Sequence, residues 1–185
     1  MLNFGSLARM TRVPELKARE ALAENQRQAF DDIVASRGTI RGPFGVLLHS
    51  PELARRAAAL GGYLRYESSL DARTRETAVM ATAGLNDCDY EWTAHEPIAR
   101  AAGVSADVMH AIHERQPAEM PPNDRDIYDL AVGIIQQHRV PAELFDRLKT
   151  RLGLTGLVEL VAAIGYWTFV AATLNTFEVL PAAEH

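Results

Sequence analysis

Residues 75–103 read R-E-T-A-V-M-A-T-A-G-L-N-D-C-D-Y-E-W-T-A-H-E-P-I-A-R-A-A-G and contain most of the side chains that could carry chemistry. In the first half, Glu76 falls in line with apolar residues at helical spacing. Asn86 and Asp87 break that pattern, and Asp87 or Asp89 can cap a second helix. The stretch therefore predicts two helices joined by a tight turn. The apolar residues in line with Glu76 are Ala72, Val79, Met80 and Ala83.

The predicted second helix has an unusual mixture of side chains on one face. Cys88, Glu91, Trp92 and His95 share that face at helical spacing, and Cys88 is the only cysteine in the chain. A thiol, a carboxylate, an indole and an imidazole would therefore point inward together. Packing of the two helices as a hairpin could bring Glu76 opposite this face. The apolar members of the same face are Ile98, Ala99 and Ala102.

This spacing is similar to that of the carboxymuconolactone decarboxylase and alkylhydroperoxidase D (AhpD-like) superfamily. Redox members of that superfamily carry a glutamate, then twelve residues later the first cysteine of C-x-x-C, then x-x-x-His. Glu76, Cys88 and His95 match these positions. Glu91 stands at the position of the second cysteine, which is a clear departure from the redox pattern.

The likeness covers most of the chain from about residue 40. The segment R-G-P-F-G-V-L-L-H-S-P-E-L from Arg41 resembles the part that precedes the motif, and the apolar segment from Glu159 resembles the superfamily's C-terminal helix. The resemblance implies an all-α, compact helical bundle. It also implies a homo-oligomer, commonly a trimer or hexamer, with active sites near the subunit contacts.

Composition bounds the class of protein. A chain of 185 residues is expected to form one domain, 1–185, with residues 1–12 as an N-terminal arm. A net charge of −5 without a basic run argues against nucleic acid as a partner. No signal peptide is recognisable, and no apolar run is expected to reach the roughly 20 residues of a membrane span. We therefore expect a cytoplasmic protein with no membrane partner.

Further helices follow from apolar spacing, proline and glycine. A first helix is predicted from near Pro14 to Arg37-Gly38, and a connector with buried apolar residues is predicted over 39–50. The later helices are expected at 51–66 with a Ser50 cap, after a Ser105 cap, after an Asn123 cap, from Val140-Pro141 to Gly153, and from Thr155 onward, where the helix is apolar almost all round.

Glu76 is the first candidate catalytic residue. Burial in an apolar stripe should raise the pKa of its carboxyl, which suits a general acid or base near neutral pH. A structural alternative is a buried glutamate paired with an arginine or histidine. His95 could relay protons between Glu76 and a substrate, or it could be a histidine satisfied by Glu91 four residues earlier.

Cys88 is expected at a helix N-terminus, where the helix dipole favours the thiolate. The alternative is a small core residue. Without a second cysteine, a redox cycle would need an external thiol or a cysteine from another subunit. Glu91 could be a second catalytic acid, an orienter of His95, or a charge placed near the positive end of the helix dipole.

Several further residues are auxiliary candidates. Arg41 and His49 could bind an anionic substrate or could anchor the connector, and Trp92 could line a pocket or the core. We expect no metal and no cofactor, because zinc sites usually gather several histidines or cysteines and no such spacing occurs.

Three functions remain open at this point. The first is a cofactor-free lyase or isomerase that uses Glu76 and His95 as an acid–base pair on a small carboxylated or lactone metabolite. The second is a one-cysteine thiol peroxidase or oxidoreductase with Cys88 as the redox thiol. The third is a non-catalytic oligomeric binding protein of the same fold.

Overall fold

The computed structural model describes residues 11–181, and this part of the chain is all-α, as predicted. No strand occurs within residues 11–181. Beyond short 3-10 turns, the helices are α1 (Arg27–Arg37), α2 (Phe44–Leu47), α3 (Pro51–Tyr66), α4 (Ala72–Leu85), α5 (Asp89–Ala101), α6 (Ala106–His113), α7 (Pro122–Val132), a π-helical turn (Gly133–Gln137) and α8 (Ala142–Phe177).

Helix α4 forms the centre of the bundle and packs against α5, α7 and α8. Asp71 begins it by accepting a hydrogen bond from the backbone N–H of Thr74 at 2.9 Å. Small side chains at Ala78 and Ala81 are buried and let neighbouring helices approach closely. The burial of α4 begins at Glu76, one turn into the helix, so this carboxylate lies inside the bundle.

Helix α8 changes direction at Gly153, whose φ of 70° and ψ of 174° are not helical. A positive φ favours glycine, which explains why the sequence signal for a helix end falls at this residue. By length and hydropathy alone α8 could cross a membrane, which corrects the expectation that no run is long enough. Its most apolar window has a mean hydropathy of 1.7 and is 61% buried in the fold, and a buried core helix passes the same test.

The N-terminal prediction is only partly right. The predicted first helix begins at Arg27 instead of near Pro14. The backbone N–H of Leu16 donates to the carbonyl of Gly45 at 2.8 Å, which holds the earlier segment against the connector. Two 3-10 turns follow, Arg19–Ala21 and Glu24–Gln26, before α1 begins. The predicted end at Gly38 is confirmed by its φ of 78°. Of the predicted arm, residues 1–10 lie outside the described residues.

Some predicted helix caps are wrong. Ser50 precedes α3 without a side-chain cap hydrogen bond. Asp87 adopts a φ of 47° and accepts from Arg115 at 2.8 Å instead of capping α5, while Asp89 is the first residue of that helix. Asn123 lies inside the first turn of α7, after Pro122.

Other local predictions have mixed outcomes. Ser105 caps α6 as predicted, since its hydroxyl accepts from the Val108 N–H. On α3, Leu53 and Leu60 are exposed, whereas Leu64 is buried. On α5, Ile98 is 41% exposed although its face was expected to point inward.

Candidate active site

A buried hydrogen bond joins the two helices of the hairpin. Nδ1 of His95 on α5 lies 2.8 Å from Oε2 of Glu76 on α4, and the two residues are 3% and 2% exposed. Nε of Arg75 donates to the other Glu76 oxygen at 3.3 Å. The predicted meeting of the carboxylate and the imidazole is therefore present, while their catalytic roles stay a prediction.

The second nitrogen of His95 has its own partner. Nη2 of Arg65, on α3, lies 2.9 Å from Nε2 of His95. A guanidinium has only donors, so Nε2 must accept this hydrogen bond. The proton of a neutral imidazole then sits on Nδ1 and is donated to Glu76. These contacts place the ring proton on Nδ1 and leave Nε2 as the acceptor that points away from Glu76.

Glu76 does not have the raised pKa that its burial predicts. Burial by itself raises the pKa, but the hydrogen bond with His95 and the contact with Arg75 outweigh it, so the pKa of Glu76 is below its ordinary value. Glu76 therefore stays ionised and is suited to orient His95 and to stabilise its protonated form, as a carboxylate does beside an imidazole base.

Glu91 is the carboxyl group with a raised pKa. Burial raises it, and the opposing influence of His95 and Arg65 does not cancel that effect. Its Oε2 lies 3.5 Å from Nε2 of His95, on the side away from Glu76. The raised carboxyl pKa that was expected of Glu76 is therefore found at Glu91, which replaces the second cysteine of the motif.

A cavity of about 260 Å³ lies beside Glu91. Three guanidinium groups, Arg37, Arg41 and Arg65, contribute to its wall, together with aromatic rings that include Tyr90 and Trp167. Glu91 is the carboxyl group among the lining residues. A small cavity with convergent polar groups and perturbed carboxyls is the usual form of a ligand site, and its positive charge favours an anion.

Cys88 lines a different and more open hollow. It immediately precedes α5, as predicted, but its neighbours in this hollow include Trp92, His113 and Arg115 rather than the arginines of the first cavity. Burial raises the pKa of the Cys88 thiol to about 11, so the expected thiolate is wrong. Removing the sulfur from water outweighs the helix terminus, and the thiol stays protonated near neutral pH.

Of the auxiliary candidates, Arg41 lines the cavity, whereas His49 and Trp92 do not. His49 is exposed and its Nε2 donates to the carbonyl of Pro14 at 2.8 Å, so it anchors the connector and takes no part in the cavity. Trp92 packs on His113, with ring centroids 5.3 Å apart, beside Cys88 rather than beside Glu91.

Sequence reasoning missed Arg37 and Arg65. Both lie at or near the C-terminal ends of helices, where a basic residue is ordinarily explained by the helix dipole. A usable signal was Gly61, one turn before Arg65, because a glycine inside a helix often marks the close approach of another element. Within residues 11–181, no group of three or more His, Cys, Asp or Glu side chains could hold a metal ion.

The fold and this geometry define an all-α bundle with a buried carboxylate–imidazole pair behind an arginine-lined cavity. Residues 51–119 match the model of the carboxymuconolactone decarboxylase family. Over these residues the chain therefore resembles that family, and its fold is shared with AhpD-like structures. No curated protein matches the sequence.

Solved structures share the fold over nearly the whole chain. An AhpD-core, uncharacterised peroxidase-related protein from Ralstonia eutropha JMP134 has 24% identity, 94% coverage of this chain, 93% coverage of its own and a TM-score of 0.73. A peroxidase-related protein from Silicibacter sp. TM1040 has 15% identity, 97% coverage of this chain, 96% coverage of its own and a TM-score of 0.75. The debrominase Bmp8 has 16% identity, 98% coverage of this chain, 95% coverage of its own and a TM-score of 0.68. At these identities the likeness defines the fold and not the reaction.

Proposed function

We propose that the protein is a cofactor-free lyase or isomerase that transfers protons on a small carboxylated or lactone-type metabolite. The observation that carries this proposal is the position of His95 between two unlike carboxyl groups. Glu76 on one side has a lowered pKa, and Glu91 on the cavity side has a raised one. Carboxyls whose surroundings push their pKa values apart are typical of acid–base sites.

Each residue has a definite role in this mechanism. Nε2 of His95 is the general base, and Glu76 holds the ring and stabilises the imidazolium that forms after proton uptake. Glu91 is the general acid, because burial raises its pKa and favours the protonated form. Arg41 and Arg37 supply positive charge for a substrate carboxylate.

Decarboxylation and isomerisation can both use these groups. In decarboxylation the bond from carbon to the departing carboxylate breaks, its electron pair remains as an enolate, and CO₂ leaves. Glu91 then delivers a proton to that carbon and is reprotonated from water. In isomerisation His95 removes a proton from a carbon beside a carbonyl, and Glu91 returns one at the new position. Exchange with water then takes the proton from His95 and reprotonates Glu91.

The thiol peroxidase alternative has weaker support. Its thiol would be Cys88, which has a raised pKa and lines the other hollow. Peroxide attack needs a thiolate, which a group of this kind supplies only sparingly at neutral pH. The binding-protein alternative has the arginine-lined cavity in its favour, but a carboxyl with a raised pKa beside an imidazole base is unnecessary for binding alone.

A cytoplasmic location stays part of the proposal. We also infer that the protein self-associates. The support is an exposed apolar row on α8, formed by Leu154, Val158 and Val161, which are 60%, 60% and 42% exposed. Residues four and three apart on a helix share a face, so the row is continuous. Contiguous apolar surface of this kind is typical of subunit contacts.

The experiment measures CO₂ release and deuterium uptake from D₂O with carboxymuconolactone, related lactone acids and simple β-keto acids. We expect Glu91→Gln to lower turnover in both reactions and His95→Asn to lower turnover in isomerisation, each by roughly 10²–10⁴-fold. Cys88→Ser and the exposed Glu96→Gln serve as matched controls and should keep it. Turnover that survives both Glu91→Gln and His95→Asn would refute the proposal, and peroxide consumption that depends on Cys88 would favour the alternative.

A further inference from the structure

We propose that Arg65 is a positioning residue that blocks the base in the empty site and releases it when an anion enters the cavity. This inference rests on the proposed function, since it assigns Nε2 of His95 the part of the base. It adds that binding of the substrate carboxylate and activation of His95 are one event.

The starting point is the hydrogen bond that occupies Nε2. Nη2 of Arg65 lies 2.9 Å from this nitrogen, so the lone pair that should accept a substrate proton is already in use. Arg65 also lines the cavity of about 260 Å³. The same guanidinium therefore touches the base and faces the space where a substrate would lie.

Arg65 differs from the other arginines near the hairpin in its partners. Arg73 pairs with Asp124 at 2.9 Å, and Arg75 pairs with Glu76 at 3.3 Å. Within residues 11–181 no carboxylate lies within 4.0 Å of the Arg65 guanidinium. Its only described side-chain hydrogen bond goes to the imidazole of His95. A guanidinium–carboxylate pair is stronger than such a bond, so an entering carboxylate would compete well for Arg65.

The other cavity arginines have different constraints. Arg37 donates to the carbonyl of Ala58 at 3.1 Å, and its guanidinium lies 4.4 Å from the centre of the Phe44 ring. Arg37 is therefore fixed by the fold. Arg41 lies in the connector and is exposed. Arg65 is the cavity cation whose movement would free a reacting atom.

The exchange of partners changes what His95 can do. With Arg65 bound, the lone pair of Nε2 is occupied, so this nitrogen cannot accept a proton from a substrate. When a substrate carboxylate takes Arg65, its negative charge offsets the guanidinium and Nε2 becomes free. Glu76 keeps the ring in place throughout, because its bond is to Nδ1.

The test follows the nitrogen itself rather than turnover. Protein labelled with ¹⁵N-histidine is titrated with succinate as a small dicarboxylate probe and with succinamide as its neutral counterpart, at constant pH. The His95 signals are assigned by their loss in His95→Asn. We expect succinate to shift the Nε2 resonance and succinamide to leave it unchanged, with succinate binding measured separately by calorimetry.

Variants of Arg65 test whether this residue controls Nε2 of His95 or only supports the structure. Arg65→Met should give an Nε2 resonance that succinate no longer moves, and should weaken succinate binding at least about tenfold. Arg65→Lys keeps the charge and should retain part of the response. Arg100→Met is the control, because Arg100 is an exposed partner of Glu96. These variants keep the test valid if one of them folds poorly.

The outcomes distinguish this inference from the proposed function. An unchanged Nε2 resonance in the presence of bound succinate, or the absence of any succinate binding, would refute the proposed release of Nε2 by Arg65. A clear shift in a protein that shows no His95-dependent turnover would support the release of Nε2 by Arg65 and refute the proposed reaction. Turnover that needs His95, without any shift of the Nε2 resonance, would support the proposed reaction and refute the role of Arg65.

Discussion

Tyr166 on α8 lies so close to Gly61 on α3 that a Cβ at Gly61 would stand 2.2 Å from the tyrosine hydroxyl. The hydrogen of glycine is therefore what lets α3 and α8 meet at this point. Tyr166 also lines the cavity. The contact joins the packing of two helices to the shape of the candidate site.

We predict that Gly61→Ala destabilises the protein by about 1–3 kcal/mol, because Tyr166 must move out of a buried position to admit the methyl group. The neighbouring Gly62→Ala is the matched control. A Cβ at Gly62 meets nothing within 4 Å, so this change should be stabilising by up to about 1 kcal/mol. Chemical denaturation of wild type, Gly61→Ala and Gly62→Ala measures the change in the free energy of unfolding for each substitution. Equal effects of the two substitutions would contradict the close contact.

We predict that Glu76→Gln destabilises the fold by roughly 1–3 kcal/mol at neutral pH, since it removes the charge from two buried hydrogen bonds. The pKa of Glu76 is lowered in the folded state. The unfolded chain therefore binds the extra proton, and the stabilisation is present above the ordinary carboxyl pKa and lost as the pH falls through the folded value.

Unfolding of wild type and Glu76→Gln at a series of pH values tests this sign. The difference between them should be largest near pH 7 and should shrink in acid. Glu96→Gln, on the surface of α5, is the control and should change stability little. A difference that grows as the pH falls would contradict the lowered pKa.

We predict the opposite behaviour for Glu91→Gln. The pKa of Glu91 is raised by burial, so the folded state keeps the proton longer than the unfolded chain. Stability is then lost as the pH rises above the ordinary carboxyl value. The amide variant should melt higher than wild type at neutral pH, by roughly 2–4 °C for each kcal/mol recovered, and the gain should vanish in acid.

The same variant should lose turnover, so position 91 would show a trade of stability for activity. Scanning calorimetry at neutral and acidic pH measures the first effect. A Glu91→Gln protein that is less stable than wild type at neutral pH would show that the carboxylate is held ionised by its neighbours.

We predict that Cys88 is slow to react with iodoacetamide in the folded protein. Burial raises its pKa to about 11 and leaves the residue 2% exposed. Because the thiolate is the reacting species, labelling at pH 8 should be at least on the order of a hundredfold slower than in the unfolded chain. Mass spectrometry follows the label, and Cys88→Ser gives the background. Equal rates in the folded and unfolded states would refute a protonated, buried thiol.

The sequence predicted the hairpin well, because its signals are local. Helical spacing placed Glu76 and His95 on inward faces, and the break at Asn86-Asp87 marked the turn between the two helices. Both residues are buried and bonded to each other. Periodicity and chain breakers depend on near neighbours in sequence, so they can be recognised without knowledge of the rest of the fold.

The details that failed depend on distant partners. The contact of Arg65 with His95 spans 30 positions, and no local pattern indicates it. The pKa of Glu76 changes direction because of His95, 19 positions away, so burial alone predicted the wrong sign. The segment after Pro14, where a helix was predicted, also has a distant partner, because the backbone of Leu16 bonds to Gly45.

The two tryptophans of the chain lie in different places, and each adjoins a histidine. The ring of Trp167 meets that of His95 edge-on with centroids 5.8 Å apart, and Trp92 lies beside His113. Protonated imidazole quenches indole emission, so the molecule carries one natural fluorophore for each hollow. Trp92→Phe leaves only the emission beside His95, and proton uptake at the candidate base could then be followed in real time with light and without a label.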